Sequence, residues 1–76
     1  MKNRLEEYRK QNNEKQEDLA NAVSVSRQTI ISIEKGQYSP SLMLAYRMAQ
    51  VFGVTVEDLC CLKENKELED RQYEDL

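Results

Sequence analysis

Seventy-six residues with eleven basic and fourteen acidic side chains, no histidine and a net charge of −3 leave room for one small domain, near the size at which a single core is only marginally stabilising. Two glycines, one proline and apolar residues spaced by three and four throughout predict an all-α chain. No apolar window approaches membrane-spanning length and the opening MKNRLEEYRK has no signal-peptide apolar region, so a cytoplasmic location is expected. Cys60 and Cys61 are adjacent, which disfavours an ordinary bridge, and no histidine or second cysteine pair completes a zinc site; both are expected as reduced, partly buried thiols. No metal, cofactor or small-molecule ligand is expected.

Helix 1 is predicted over about residues 2 to 12, with Leu5 and Tyr8 inward. The junction Asn13-Glu14-Lys15 has no serine or threonine, so Asn12 or Asn13 is the expected cap of helix 2, with Glu14 and Glu17 near the positive end of its dipole. Helix 2 spans about 16 to 23, with Leu19, Ala20 and Val23 at helical spacing. Ser24, Val25 and Ser26 then interrupt the pattern. Ser26 is a good N-cap. Helix 3 spans 27 to 35, with Ile30 and Ile33 inward and Gly36 placed to end it. Ala20 sits where helices 2 and 3 cross, its small side chain allowing close approach.

Gln37 to Pro40 form a loop. Helix 4 follows an N-cap at Ser41 and is expected to bury Leu42, Ala45, Met48, Ala49 and Phe52, with Leu44 and Val51 as lesser or interface positions and Gly53 closing it. Helix 5 starts at N-cap Thr55, with Glu57 and Asp58 in its first turn and Val56, Leu59 and Leu62 as its apolar residues. The predicted domain is 1–62. Residues 63–76 form a short acidic tail with only Leu68, Tyr73 and Leu76 as large apolar residues, consistent with a solvated helix or disorder.

The first turns of helix 3 present Arg27, Gln28, Thr29 and Ser32 away from Ile30 and Ile33. Arginine can donate twice to guanine, glutamine can pair bidentately with adenine, and threonine offers a hydroxyl or a methyl group. Two short helices across a tight turn, the second opening on such residues, form the geometry that reads a major groove, so these four are the expected base-reading residues. The charge follows: residues 1 to 40 carry seven basic and six acidic groups, whereas residues 63 to 76 carry three and six. The acidity is in the tail, and Lys10, Lys15, Arg27 and Lys35 remain for a docking face. An enzyme is not expected, because there is no histidine, no glycine-rich phosphate loop, and no clustering of the carboxylates.

Leu5 and Arg9, Gln16, Leu19-Ala20, SRQTI at 26 to 30, Ile33-Glu34-Lys35-Gly36, Pro40-Ser41-Leu42, Met48-Ala49, Phe52 and Val56-Glu57-Asp58-Leu59 together form a specific pattern over residues 3 to 62. It resembles the Cro and phage-repressor-like helix-turn-helix family (XRE type), and in particular its short stand-alone bacterial members. The resemblance implies a five-helix repressor-like DNA-binding domain that binds double-stranded DNA and regulates transcription, with the expected role of a repressor on a palindromic operator with helix 27–35 in the major groove. It implies that Gln16 contacts a phosphate and braces Gln28, and that Arg9 and Glu34 form an internal ion pair joining helices 1 and 3. Lys35, Gln37, Tyr38 and Ser41 flank helix 3 and complete the expected phosphate contacts, although Tyr38 has the alternative of packing on its loop. Val54, Val56, Leu59 and Leu62 are the expected interface of a homodimer, since an apolar excess on helices 4 and 5 suits a subunit contact and two helices related by a dyad read two half-sites. Leu59 and Leu62, like Leu44 and Tyr46, have the alternative of completing the protomer core. The competing function class is a protein-binding module, such as an antitoxin or an anti-repressor partner, engaged through the acidic tail.

Overall fold

The computed structural model describes residues 3–63 and 65–68. Five helices follow one another, α1 (Leu5–Gln11), α2 (Gln16–Ala22), α3 (Arg27–Glu34), α4 (Leu42–Phe52) and α5 (Val56–Cys60), and helical backbone resumes at 62–63 and 65–68. No strand occurs among the described residues. None of the described helices is long and apolar enough to cross a membrane. The expectation for the tail falls largely on residues 64 and 69–76, outside the described residues, as does the predicted start of helix 1 at residue 2.

Local chemistry explains where the helices begin. Ser26, Ser41 and Thr55 have extended backbone, and their hydroxyls accept from the N–H groups of Thr29, Leu44 and Asp58 at 3.2, 3.2 and 3.1 Å. The start of α2 differs from expectation. Its cap is Lys15, whose backbone N–H donates to Asp18 Oδ2 at 3.4 Å, while Asn12 donates its side-chain amide back to Tyr8 O and Asn13 takes a left-handed φ of 55° in the connection. Ser24 adopts φ 60°, and Gly36 and Gly53 end α3 and α4 at φ 75° and 66°.

Leu5, Leu19, Ala20, Val23, Ile30, Ile33, Ala45, Met48, Ala49, Leu59 and Cys60 make one core, with Tyr8, Val25, Leu44, Phe52, Val54 and Val56 packed against it. The α2–α3 pair is the most closely associated, as Ala20 in the crossing requires. Tyr8 and Phe52 stack α1 on α4 with ring centroids 6.1 Å apart. Two backbone-directed bonds tie the first residues down: Arg4 N–H donates to Leu59 O, and Asn3 Nδ2 donates to Ile33 O, both at 2.8 Å.

Two apolar residues depart from their expected places. Leu42, expected in the core, is 76% exposed. A helical side chain leans toward the N-terminus, so a residue in the first turn overhangs the end of the helix even when it lies on the apolar stripe. Leu59, considered for the subunit contact, is 1% exposed and belongs to the protomer core, whereas Leu62 is 46% exposed. The helix stops between them: Cys61 turns left-handed at φ 51° and breaks the register that would have aligned the two leucines.

Candidate nucleic-acid interface

Alternation along α3 builds the exposed face. Ile30 and Ile33 are fully buried against α2 and α1, so Gln28 and Ser32, one turn apart, fall on the opposite side. Arg27 and Gln28 are exposed, and Thr29 and Ser32 are half-buried. Ser26, Gln28, Thr29, Ser32, Gln37 and Tyr38 line one shallow, open concavity of about 320 Å³. Three of the four expected base-reading residues and two of the expected phosphate contacts therefore meet on one surface. Thr29 is held there by its hydroxyl, 2.9 Å from Ser26 Oγ, so the residue that caps α3 also fixes the rotamer of a side chain on the face.

Arg27 lies at the edge of a second surface depression, about 510 Å³, shared with Glu6, Arg9, Lys10, Lys15, Gln16 and Glu17. Its Nη2 donates to Gln16 Oε1 at 3.4 Å. At the start of α3 Gln16 thus bonds Arg27, where the resemblance implied Gln28. Gln16 Nε2 donates in turn to Glu34 Oε1 at 3.1 Å.

Glu34 is the centre of this side of the molecule. Arg9 Nε donates to Glu34 Oε2 at 3.0 Å and Arg9 Nη2 to Glu34 Oε1 at 3.1 Å, a two-pronged pair with side chains only 12% and 3% exposed. The third arm of the guanidinium, Nη1, donates to Glu14 O at 2.8 Å in the α1–α2 connection. Bonding to Glu34 raises the already high pKa of Arg9, and neither partner lines the concavity in front of α3.

Lys35 caps α3 at its C-terminal end and is exposed, as are Gln37 and Ser41; Tyr38 is 50% exposed. The Ser41 oxygen accepts from Leu44 N–H, which leaves its hydroxyl proton free to donate. Val54 and Val56 are half-buried at the far end of α4 and start of α5. No pattern in the sequence marks Asn3 as a fastener of α3, since one side chain reaching a carbonyl thirty residues away leaves no periodic trace.

Cys60 and Cys61 are both free and buried, and burial pushes the Cys60 thiol up from its ordinary value.

Comparison with known proteins agrees with this geometry. The family described as helix-turn-helix matches residues 5–59. The chain is 59% identical over 59 residues to an HTH-type transcriptional regulator of Methanocaldococcus jannaschii, MJ0272, covering 78% of this chain and 89% of that protein. It is 45% identical over 71 residues to an HTH-type transcriptional regulator of Archaeoglobus fulgidus, covering 93% and 100%. A more distant relative, 36% identical over 44 residues and covering 58% and 40%, is the cryptic phage CTXphi transcriptional repressor RstR of Vibrio cholerae. Such relatives extend the likeness from bacteria to archaea. The serine-capped α3, its crossing with α2 and the matched sequence together mean that the chain belongs to the Cro and phage-repressor-like (XRE) helix-turn-helix family of DNA-binding transcriptional regulators.

Proposed function

We propose that the protein is a repressor that binds a palindromic operator as a homodimer, with α3 in the major groove and Arg27, Gln28, Thr29 and Ser32 reading bases. The observation that carries this reading is the shared concavity, in which Gln28, Thr29 and Ser32 open onto the same surface as Gln37 and Tyr38. Base-edge chemistry and phosphate-contact chemistry are adjacent there, as groove docking requires. Lys35 and Ser41, exposed on either side of Gln37 and Tyr38 in the chain, supply a cation and an O–H donor, and the remaining N–H of Gln16 Nε2 supplies another donor. The relative in Vibrio cholerae that is named a repressor supports the direction of regulation.

Dimerisation follows from how little one helix can read. Two copies related by a dyad address half-sites about 34 Å apart and nearly add their contact energies. Val54, Val56 and Leu62 retain surface for this contact, and Leu59 supports it from within the core.

The test starts with duplexes selected from a random pool by the wild-type protein. Arg27→Ala or Gln28→Ala should cost about 1–3 kcal/mol on the selected operator and less on random DNA. Lys35→Ala should weaken all sequences alike and flatten the salt dependence by about one unit. Equal losses on operator and random DNA for both Arg27→Ala and Gln28→Ala would defeat the base-reading assignment. Sedimentation of the free protein checks the dimer: a monomer that binds one non-palindromic half-site with full affinity excludes it.

A further inference from the structure

The segment that leads into α1 bonds to three different helices. Asn3 Oδ1 accepts from Leu5 N–H at 3.0 Å and starts α1; Asn3 Nδ2 donates to Ile33 O at 2.8 Å in the last turn of α3; Arg4 N–H donates to Leu59 O at 2.8 Å in the last turn of α5. Both carbonyls lie where a helix runs out of its own N–H donors. Close packing joins α3 to α2 and α1, and joins α4 to α5. The first group carries the exposed face of α3, and Val54, Val56 and Leu62 belong with the second. The two groups share one core and the Tyr8–Phe52 stack, but apolar contacts have little directional preference and permit small rotations. Hydrogen bonds at 2.8 Å do not.

We propose that Asn3 and the Arg4 N–H form a strap that fixes the angle between α3 and α5, and that Asn3 is thereby a positioning residue for the spacing of the two operator half-sites. This rests on the dimer reading above, in which the subunit contact is made beside α5 and the bases are read by α3. In a twofold dimer, any rotation of α3 relative to α5 is doubled between the two copies. One base pair of spacer moves a half-site by about 3.4 Å and turns it by about 35°. An α3 held at one angle therefore accepts one spacing, and a looser α3 accepts several. The amide of Asn3 suits this task because it offers an acceptor and a donor at once. Its oxygen is committed to Leu5 N–H, so its nitrogen is presented to Ile33 O, and reversal would break both bonds. Asn3→Asp keeps the first bond and sets an oxygen against the Ile33 carbonyl in place of the second.

The experiment titrates wild type, Asn3→Asp and Asn3→Ala on the selected operator, on the same two half-sites with the spacer shortened or lengthened by one and two base pairs, and on a duplex with one half-site. Asn3→Ala removes the bond to Ile33 O without adding a charge and carries the test if Asn3→Asp fails to fold. All titrations are made at a temperature where circular dichroism shows the protein folded. In each folded variant the preference for the selected spacer over its one-base-pair neighbours should fall roughly three- to tenfold, with affinity for the single half-site within about twofold of wild type. A folded variant that keeps the wild-type spacer preference overturns the inference, whatever its stability. So does a loss on the single half-site as large as that on the operator, which would make Asn3 a support of α3 alone. If the wild type itself binds every spacing equally well, it is the dimer reading that fails, and this proposal with it; a wild-type preference that the variants retain removes only the strap.

Discussion

Replacing Arg9 by methionine removes three hydrogen bonds at once, two to Glu34 and one to Glu14 O, while keeping most of the aliphatic volume of the stem. What remains is a Glu34 carboxylate whose side chain is 3% exposed and which still accepts from the neutral amide of Gln16. Removing one partner of such a pair costs about 3–5 kcal/mol, because the other charge stays buried without compensation. A domain of 76 residues has about 4–11 kcal/mol in total, so Arg9→Met should lose a large fraction of its stability. Glu34→Met should cost less, since the Arg9 head group can turn toward solvent along its flexible stem and Glu14 O still accepts from it. The double variant carries neither charge and should be more stable than Arg9→Met alone. Urea unfolding followed by circular dichroism measures all three. A loss below about 1 kcal/mol for Arg9→Met, the value of a solvent-exposed pair, would refute the reasoning, as would a double variant whose loss equals the sum of the single ones.

Ser24→Gly should stabilise the domain by about 0.5–1 kcal/mol, because φ 60° crowds a side chain but not a glycine; a lowered melting temperature would contradict this. Leu59→Ala should cost about 2–5 kcal/mol at any protein concentration, whereas Leu62→Ala should leave protomer stability within about 0.5 kcal/mol and weaken self-association in sedimentation. Burial that raises the Cys60 pKa lowers its thiolate fraction at neutral pH, so iodoacetamide should modify Cys60 slowly in the folded protein and rapidly in urea; a free-thiol rate in the folded state would exclude the buried placement.

The elements with local chemistry were legible in the sequence. Ser26, Ser41 and Thr55 declare their helices because a hydroxyl bonding an N–H three residues on needs nothing from the rest of the fold, and Ile30 and Ile33 fix the inward side of α3 and hence its outward one. What escaped depends on where helices end or on distant partners. Leu42 shares a stripe with Ala45 and Ala49, but its position in the first turn carries it past the core. Leu62 shares a spacing with Leu59, and a left-handed Cys61 separates them. Lys15 is no usual cap, and its role follows from the reach of Asp18. Gln16 was expected by likeness to brace Gln28, but its carbonyl accepts from Arg27 and its amide donates to Glu34, contacts eleven and eighteen residues away that leave no local pattern.

Each helix is followed within two residues by one in the left-handed region, Asn13, Ser24, Gly36, Gly53 and Cys61, and only two of these are glycine. The other three are positions at which the chain tolerates backbone crowding, and two of them, Asn13 and Cys61, lie outside α2, α3 and the turn between them. Arg27 and Gln28, for their part, contribute nothing to the core. A lineage can therefore substitute the residues that choose a target without disturbing the packing, and offset any loss of helix strength by relaxing a turn elsewhere. The turns and the exposed helix face are free to evolve as separate traits, one governing how firmly the domain holds together and the other which sequence it finds.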